Sequence, residues 1–242
     1  MKYTHQLTLI AGLLVMSTMA SADITHGPNP YAAGFGFDTP SEAAWGGWTR
    51  GDAGTLYAEW DTFVDATYPG IRTAAPDIGQ FGTSNANIAW NAGTFAAGSG
   101  NLYSFSVPQV YKASLSGTTV TGPLRVALQF ETSGEEMDYN SIFLNGAAPS
   151  YADTSYFQAN YASSFGPVNL IQYLAIWDLP TTAASYVFDF KSGPHSSLAQ
   201  VAIDIGPATQ ATAPVPLPAA AWLLGSGLLG LIGMSRRRSL LA

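Results

Sequence analysis

Apolar and polar residues alternate in a series of short stretches between residues 56 and 205. The clearest are Leu124–Glu131, Tyr186–Lys191 and Val201–Ile205. Because successive side chains of a β-strand point to opposite faces, each stretch predicts a strand with one face inward and the other at least partly wet. No window shows the 3.6-residue apolar period that marks an amphipathic helix. The alternation therefore predicts an all-β fold for residues 23–206.

The other strands and the turns between them favour a single antiparallel β-sandwich. Strands are also predicted at Leu56–Val64, Leu102–Val107, Gln109–Leu115, Ser141–Leu144 and Leu170–Asp178. The last is apolar on both faces and should be central in its sheet. Asn145-Gly146 is the strongest hairpin signal, whereas residues 73–100 have little pattern and are expected to form long loops. Strands at this spacing predict a jelly-roll-like sandwich, and a β-barrel is the alternative.

The N-terminus has the three parts of a secretory signal peptide. Lys2 supplies a positive charge, Leu7–Met16 is a short apolar region, and Ala20-Ser21-Ala22 is an A-x-A cleavage site. Residues 1–22 are therefore predicted to be removed during export through the Sec translocon, which makes Asp23 the first residue of the mature chain. An uncleaved anchor is the alternative, but the apolar region is short for a membrane span.

The C-terminal stretch from Val215 to Arg238 combines a Pro-containing tetrapeptide, an apolar run and three arginines. As a helix the run would span about 24 Å, so with part of the tetrapeptide it approaches the ~30 Å hydrocarbon core of a bilayer. We predict a transmembrane helix over residues 217–234. The positive-inside rule puts Arg236, Arg237 and Arg238 on the cytoplasmic side and the bulk of the chain outside. Residues 207–214, rich in Pro, Ala and Thr, are predicted to be a linker.

The order of these C-terminal parts closely resembles the PEP-CTERM family of protein-sorting signals, in its VPLPA variant. The resemblance rests on Val215-Pro216-Leu217-Pro218, the apolar run and the arginine triplet. It implies recognition by an exosortase, a membrane-bound transpeptidase-like enzyme, with processing near the tetrapeptide. The product would reach the cell surface or the extracellular polysaccharide matrix of a Gram-negative bacterium. Leu217 stands where the commoner form has Glu, so the exosortase subtype stays open.

Parts of the middle of the chain also resemble uncharacterised β-sandwich ectodomains that often carry such tails. The segments concerned are Ser99–Phe105, Gly134–Asp138 and His195–Asp204. This second resemblance implies a fold of the same kind and brings no activity with it.

Charge and cysteine content exclude several classes of function. All sixteen acidic residues lie between residues 23 and 213, against five lysines and arginines, so the exported part carries a net charge of −11. Such a surface repels nucleic acid and anionic lipid. The chain has no cysteine, which excludes disulfides, thiol catalysis and thiolate metal sites. No cofactor is predicted.

Candidate polar sites are few. Glu135, Glu136 and Asp138 offer carboxylates of the kind that bind Ca²⁺, but they lack an EF-hand-like spacing, and a solvated hairpin tip at Ser133-Gly134 is the favoured interpretation. No G-x-S-x-G elbow accompanies His195, which is interpreted as a structural histidine at the entrance of a strand. No spacing identifies the carboxylate pair of a glycosidase. The sequence therefore predicts no catalytic residue and no metal site.

The aromatic residues are more suggestive of a ligand. Tyr151, Tyr156 and Tyr161 lie in a polar stretch rich in Ala and Ser, and exposed aromatic rings stack on sugars. Packing in the core or in loops is the alternative for these rings. We expect a non-catalytic structural or adhesive protein of the cell surface or biofilm matrix. The alternatives are a carbohydrate-binding module for exopolysaccharide and, third, a polysaccharide hydrolase.

Overall fold

The computed structural model describes residues 36–63, 72–163 and 166–208. Within these ranges no helix is long and apolar enough to cross a membrane. The predicted signal peptide, with its Ala20-Ser21-Ala22 site, and the sorting signal 215–238 lie outside the described residues. The strands are β1 (Leu56–Trp60), β2 (Thr73–Ala74), β3 (Gly79–Phe81), β4 (Asn87–Trp90), β5 (Phe95–Ala96), β6 (Leu102–Tyr103), β7 (Gln109–Leu115), β8 (Leu124–Gly134), β9 (Met137–Leu144), β10 (Tyr151–Ser163), β11 (Gly166–Leu179), β12 (Tyr186–Ser192) and β13 (Ser196–Pro207).

The strands form two antiparallel sheets with the main core between them. The larger sheet has the order β10-β11-β8-β13-β1-β3, and β6 pairs with both β13 and β5. The smaller sheet has the order β2-β4-β7-β12-β9. The predicted all-β fold with two antiparallel sheets is therefore confirmed. Strand β13 continues to Pro207, the first residue of the predicted linker.

Aromatic side chains fill the space between the two sheets. Phe190 of the smaller sheet stacks on Phe130 of the larger one, with ring centroids 5.6 Å apart, and on Tyr111 at 5.2 Å. Trp60 is fully buried, and its indole N–H donates to the carbonyl of Ala74 at 3.1 Å. Burial of large rings supplies most of the favourable free energy of such a core.

Consecutive long strands alternate between the sheets, except that β10 and β11 are neighbours in the larger one. Strands β7, β9 and β12 belong to the smaller sheet, while β8, β11 and β13 belong to the larger one. The segment after Gly134 is therefore a corner between two sheets, and the hairpin tip predicted there is wrong. Alternation within a strand says which face is buried, but it does not say which sheet the next strand joins.

The predicted turn at Asn145-Gly146 is present, but the hairpin around it contains a single pair of bridged residues, Leu144 and Ala147. Both residues have positive φ, 49° and 81°, as a type I′ turn requires. Leu144 and Ala147 exchange backbone hydrogen bonds of 2.9 and 2.8 Å across it. The chain then crosses to the other sheet and begins β10 at Tyr151.

Residues 73–100 are not the long loops predicted for them, because they contain β2, β3, β4 and β5. Strand β4 pairs with β7 from Asn87 to Trp90 and extends the smaller sheet. Strand β3 closes the far edge of the larger sheet against β1. Short strands of two to four residues hold too few alternations to be read from the sequence.

The predicted strand Leu102–Val107 ends after Tyr103. The Ser104 hydroxyl accepts the backbone N–H of Val107 at 3.1 Å, which turns the chain out of the sheet. Ser104 is buried as a result, and Phe105 becomes exposed.

Strand β10 is a long strand that the alternation does not predict. It is an edge strand paired only with β11, and all its residues are exposed or half-buried. A strand without a buried face needs no period-two pattern, so its sequence gives no signal. Its neighbour β11 is buried on both faces from Leu170 to Trp177. This strand was predicted to be central in its sheet, and it is an interior strand that lies next to the edge, between β10 and β8.

The outer face of the larger sheet is buried as well, contrary to the wet face predicted for it. Residues 37–50, here called the strap, lie across this face and bury it. Trp45 and Trp48 pack against Ala127, Leu174 and Ile176 in a second apolar cluster. The ring of Trp48 lies so close to Gly206 that a Cβ there would come within 2.4 Å of it. A glycine is therefore required at this point of β13.

Polar contacts fix the strap to the sheet beneath it. The Arg50 guanidinium makes two 2.8 Å hydrogen bonds to Asp204 and one of 3.0 Å to Glu59. Arg125 donates to the carbonyl of Trp45 at 3.1 Å, and Gln129 donates to that of Asp38 at 2.9 Å. Bidentate and backbone contacts of this kind specify one position of the strap on the sheet.

Candidate functional site

An open cleft of about 650 Å³ lies at one end of the sandwich. One wall comes from β5, β6 and the turn after β6, and the opposite wall from the ends of β10 and β11. The floor comes from the β8–β9 corner and the start of β13. Because its three sides belong to segments far apart in sequence, only the folded chain brings it together. We call it the aromatic cleft.

The first wall carries three aromatic rings in mutual contact. Phe105 stacks on Phe95 with ring centroids 5.7 Å apart, and Tyr103 meets Phe105 edge-on at 4.8 Å. Phe105 is 55% exposed, which is unusual for so large an apolar side chain. Each ring supports the next, so the wall presents a fixed apolar surface to the cleft.

The floor is positioned through His195. This residue has φ +68°, and its backbone N–H donates to Ser104 at 2.8 Å while its carbonyl accepts from Glu135 at 3.2 Å. Its ring nitrogen Nδ1 is hydrogen-bonded to the Tyr103 hydroxyl at 3.0 Å. Gly134 has φ +93°, and a Cβ there would come within 2.4 Å of the His195 carbonyl oxygen. The sequence interpretation of a hydrogen-bonded histidine at a strand entrance agrees with this geometry.

A buried glutamine holds the floor from below. Gln109 is fully buried, and its amide N–H groups donate to the carbonyls of Ser196 at 2.7 Å and Gly193 at 3.2 Å. Its amide oxygen accepts from the hydroxyl of Tyr111 at 2.7 Å. Gln109 thus fixes both ends of the connection from β12 to β13. This connection carries His195, which lines the cleft.

Amides and hydroxyls line the rest of the cleft. Asn101 donates to the Ser197 hydroxyl at 3.0 Å on the floor. Asn160, with φ +58°, lies at a register shift of β10 between Gln158 and Tyr161. Such bulges redirect side chains at the ends of strands. The cleft therefore combines an aromatic wall with hydrogen-bonding groups on the other sides.

The three tyrosines proposed as ligand contacts are not brought together. Tyr161 lines the aromatic cleft. Tyr151 lies ten residues away, about 30 Å along the same strand, where it borders a shallow depression beside Trp45 and Arg125. Tyr156 lies between them and donates to Gln158 at 3.1 Å. Of the three, only Tyr161 shares a site with other exposed aromatics. Burial, with a smaller contribution from the charge of Glu131, raises the pKa of its hydroxyl.

The three candidate Ca²⁺ ligands also separate. Glu135 lines the aromatic cleft, while Glu136 and Asp138 are exposed at the corner and on β9. An oxygen of Asp138 accepts the backbone N–H of Asn140 at 3.2 Å. In the described parts of the chain no three acidic or histidine side chains group as a metal site would need.

Among the described residues, the carboxyl groups whose pKa is strongly raised do not line the cleft. Burial raises the pKa of Asp204 to about 6, against the opposing effect of Arg50. Burial also raises the pKa of Glu131 to about 7, and a 2.9 Å hydrogen bond from Gln172 opposes the shift. Both side chains are fully buried. They are groups of the folded scaffold without access to a ligand.

The aromatic wall is the part of the site that the sequence analysis missed. Tyr103 and Phe105 were assigned to a strand, and Phe95 to a loop. The signal available was Ser104, a residue that favours turns, in the middle of the supposed strand. Nothing in the sequence indicates that Phe95 meets Phe105.

No protein-family model, curated protein or solved structure matches this chain. A function therefore has to be argued from the geometry of the cleft and from the signals at the two ends of the sequence. A concave site with apolar walls and a few hydrogen-bonding groups is the usual place of a ligand.

Proposed function

We propose that this protein is exported to the cell surface or biofilm matrix, where it binds polysaccharide non-covalently in the aromatic cleft. The observation that carries the proposal is the exposed, mutually supported wall of Phe95, Tyr103 and Phe105 facing a cleft lined with amides and hydroxyls. A sugar ring has an apolar face of C–H groups and an edge of hydroxyls. The wall suits the face, and the polar groups suit the edge.

The cleft favours binding over hydrolysis. Glycoside hydrolysis uses two carboxyl groups on either side of the scissile bond. Among the described residues lining the cleft, Glu135 is the only carboxylate. Glu131 is fully buried and accepts a hydrogen bond from its cross-strand partner Gln172. We therefore assign the protein a binding and adhesive role without catalysis.

Delivery to the matrix rests on the two terminal signals. The chain is exported through the Sec translocon, residues 1–22 are removed during export, and an exosortase processes the product near Val215–Pro218. The jelly-roll-like sandwich then remains outside the cell. Strand alternation between the sheets supports that topology. Intact-mass analysis of envelope and matrix fractions tests this sorting, and a full-length C-terminus on all the protein would refute processing.

Binding is tested with the full chain in a mild detergent against a panel of matrix and plant polysaccharides, using affinity electrophoresis. We expect F105A to weaken binding about tenfold or more, because burying a phenylalanine side chain against a ligand contributes about 1.5–3 kcal/mol. The matched control is F157A, since Phe157 is 54% exposed but lies outside the cleft. Equal binding by F105A and F157A would contradict the assignment of the site.

A structural role by self-association is the second candidate, favoured by β10. This edge strand has thirteen residues, pairs only with β11 and contains one charged residue, Asp153. Long edges with little charge pair readily with other strands. Concentration-dependent assembly that persists in F105A would support this role in place of polysaccharide binding.

A further inference from the structure

We infer that the aromatic cleft selects uncharged polysaccharide and discriminates against chains that carry uronate, sulfate or other anionic groups. The inference rests on the proposed function and specifies its ligand class.

The charge within the cleft has one sign. Among the described residues that line it, Glu135 is the only Asp, Glu, Lys or Arg. Glu135 is exposed, and its position is fixed by its backbone N–H, which donates to His195 at 3.2 Å. Because the residue is exposed and lines the cleft, its carboxylate is accessible to a ligand there.

The basic residues of the exported part all lie elsewhere. Its five lysines and arginines fall within the described residues, and none of them lines the cleft. Three of them are paired with carboxylates: Arg50 with Asp204 and Glu59, Lys112 with Asp189, and Arg125 with Asp178. Proteins that bind carboxylate or sulfate groups do so with Arg or Lys, which this cleft does not offer.

An anionic sugar would therefore lose water without gaining a cation, and it would meet Glu135. Two charges about 6 Å apart in water repel enough to weaken binding about threefold, and the net charge of −11 adds to this at low salt. A neutral sugar avoids both effects, because its hydroxyls find partners such as Asn101, Asn160 and Ser197.

The experiment compares one polymer in two charge states. Neutral glucans, mannans and galactans are first tested against the full chain, and the polymer that binds best is then oxidised at C6 to uronate. We expect the oxidised polymer to bind at least about threefold more weakly at 20 mM salt, with the difference shrinking at 500 mM. E135Q should recover about that factor, read as the ratio of the affinity for the oxidised polymer to the affinity for the neutral one.

E136Q is the matched control, because Glu136 is the next residue, is exposed and does not line the cleft. Equal binding of both polymers, or equal recovery by E135Q and E136Q, would overturn the inference while leaving the proposed function standing. Preferential binding of an anionic polymer, or of a cationic amino-sugar polymer that depends on Glu135, would also overturn it. Failure of every polymer to bind would instead refute the proposed function.

Discussion

Both faces of the larger sheet are buried along its middle strands β1, β8, β11 and β13, yet the two faces differ in their chemistry. The inner face presents rings such as Trp60 and Phe130 to the apolar core. The outer face presents the carboxyl groups of Glu59, Glu131 and Asp204, each 6% exposed or less, as well as the apolar cluster beneath the strap. The difference shows that burial of a sheet face is not evidence of an apolar face.

The two faces also differ in what they specify. An apolar face accepts any surface of suitable shape, and its contribution scales with the area removed from water. A buried polar face accepts only a partner that satisfies its charges and hydrogen bonds. Arg50 does this for Asp204 and Glu59, and it also lies 3.9 Å above the ring of Tyr57. The inner face thus supplies stability, and the outer face selects where the strap binds.

The largest loss of stability is expected in the core against the inner face, where Phe190 of the smaller sheet packs on Phe130. We predict that F190A lowers the free energy of unfolding by about 3–5 kcal/mol, because it leaves a cavity between two stacked rings. Urea titration followed by tryptophan fluorescence measures this. The control F157A should change the stability by no more than about 0.5 kcal/mol, since that ring is exposed. Similar losses of stability in F190A and F157A would contradict the burial of Phe190 in the core.

Removing the charge of Arg50, the strap residue that pairs with the carboxylates of the outer face, should lower the stability nearly as much, by a different mechanism. We predict that R50M destabilises the protein by about 3 kcal/mol, because Asp204 and Glu59 are left buried without their partner. The loss should be smaller at pH 5 than at pH 8, since protonation relieves the unpaired carboxylates. K112M is the control, because Lys112 and Asp189 form an exposed pair worth about 0.5 kcal/mol. A loss in R50M that is independent of pH would contradict this account.

The smallest predicted effect is a gain in stability rather than a loss. Burial raises the pKa of Glu131 to about 7 in the folded protein, so the folded state holds this proton more tightly than the unfolded chain. The associated stability is complete below the unfolded value, near 4.5, and is lost as the pH rises through about 7. E131Q should therefore stabilise the protein at pH 8 by about 2 kcal/mol.

The hydrogen bonding around residue 131 also favours E131Q. Oε1 of Glu131 and Oε1 of Gln200, its cross-strand neighbour, have no hydrogen-bond partner among the described residues. An amide at position 131 supplies the donor that a carboxylate lacks. Thermal unfolding from pH 5 to pH 8 should show a flatter dependence in E131Q than in the wild type. E136Q, which changes an exposed carboxylate, should retain the wild-type slope.

Much of the fold follows from the sequence because strands with one apolar face leave a period-two signal. Strands β1, β7, β8, β11, β12 and β13 were all predicted within a few residues of their observed cores. Strand β10 was not, because both of its faces are exposed. The strap was not predicted either, since it contains no regular strand or helix and its tryptophans resemble ordinary core residues.

The candidate site was predicted only in part. Exposed aromatics were expected in the stretch that contains Tyr161, and this residue does line the cleft. The main wall of Phe95, Tyr103 and Phe105 was missed, because a turn at Ser104 reverses which side chain faces the core.

By itself the sequence determined the all-β class of the fold and the acidic charge of residues 23–213. It also predicts the two terminal signals. The strand patterns and the signals depend on residues that are neighbours in the chain, and the charge depends on composition alone. The tertiary structure alone decided that the strap covers the outer face and that Glu135, His195 and Phe105 share one cleft. Those features join segments tens of residues apart. Short-range patterns carry no information about which distant segments meet, since that depends on the packing of the two sheets as a whole.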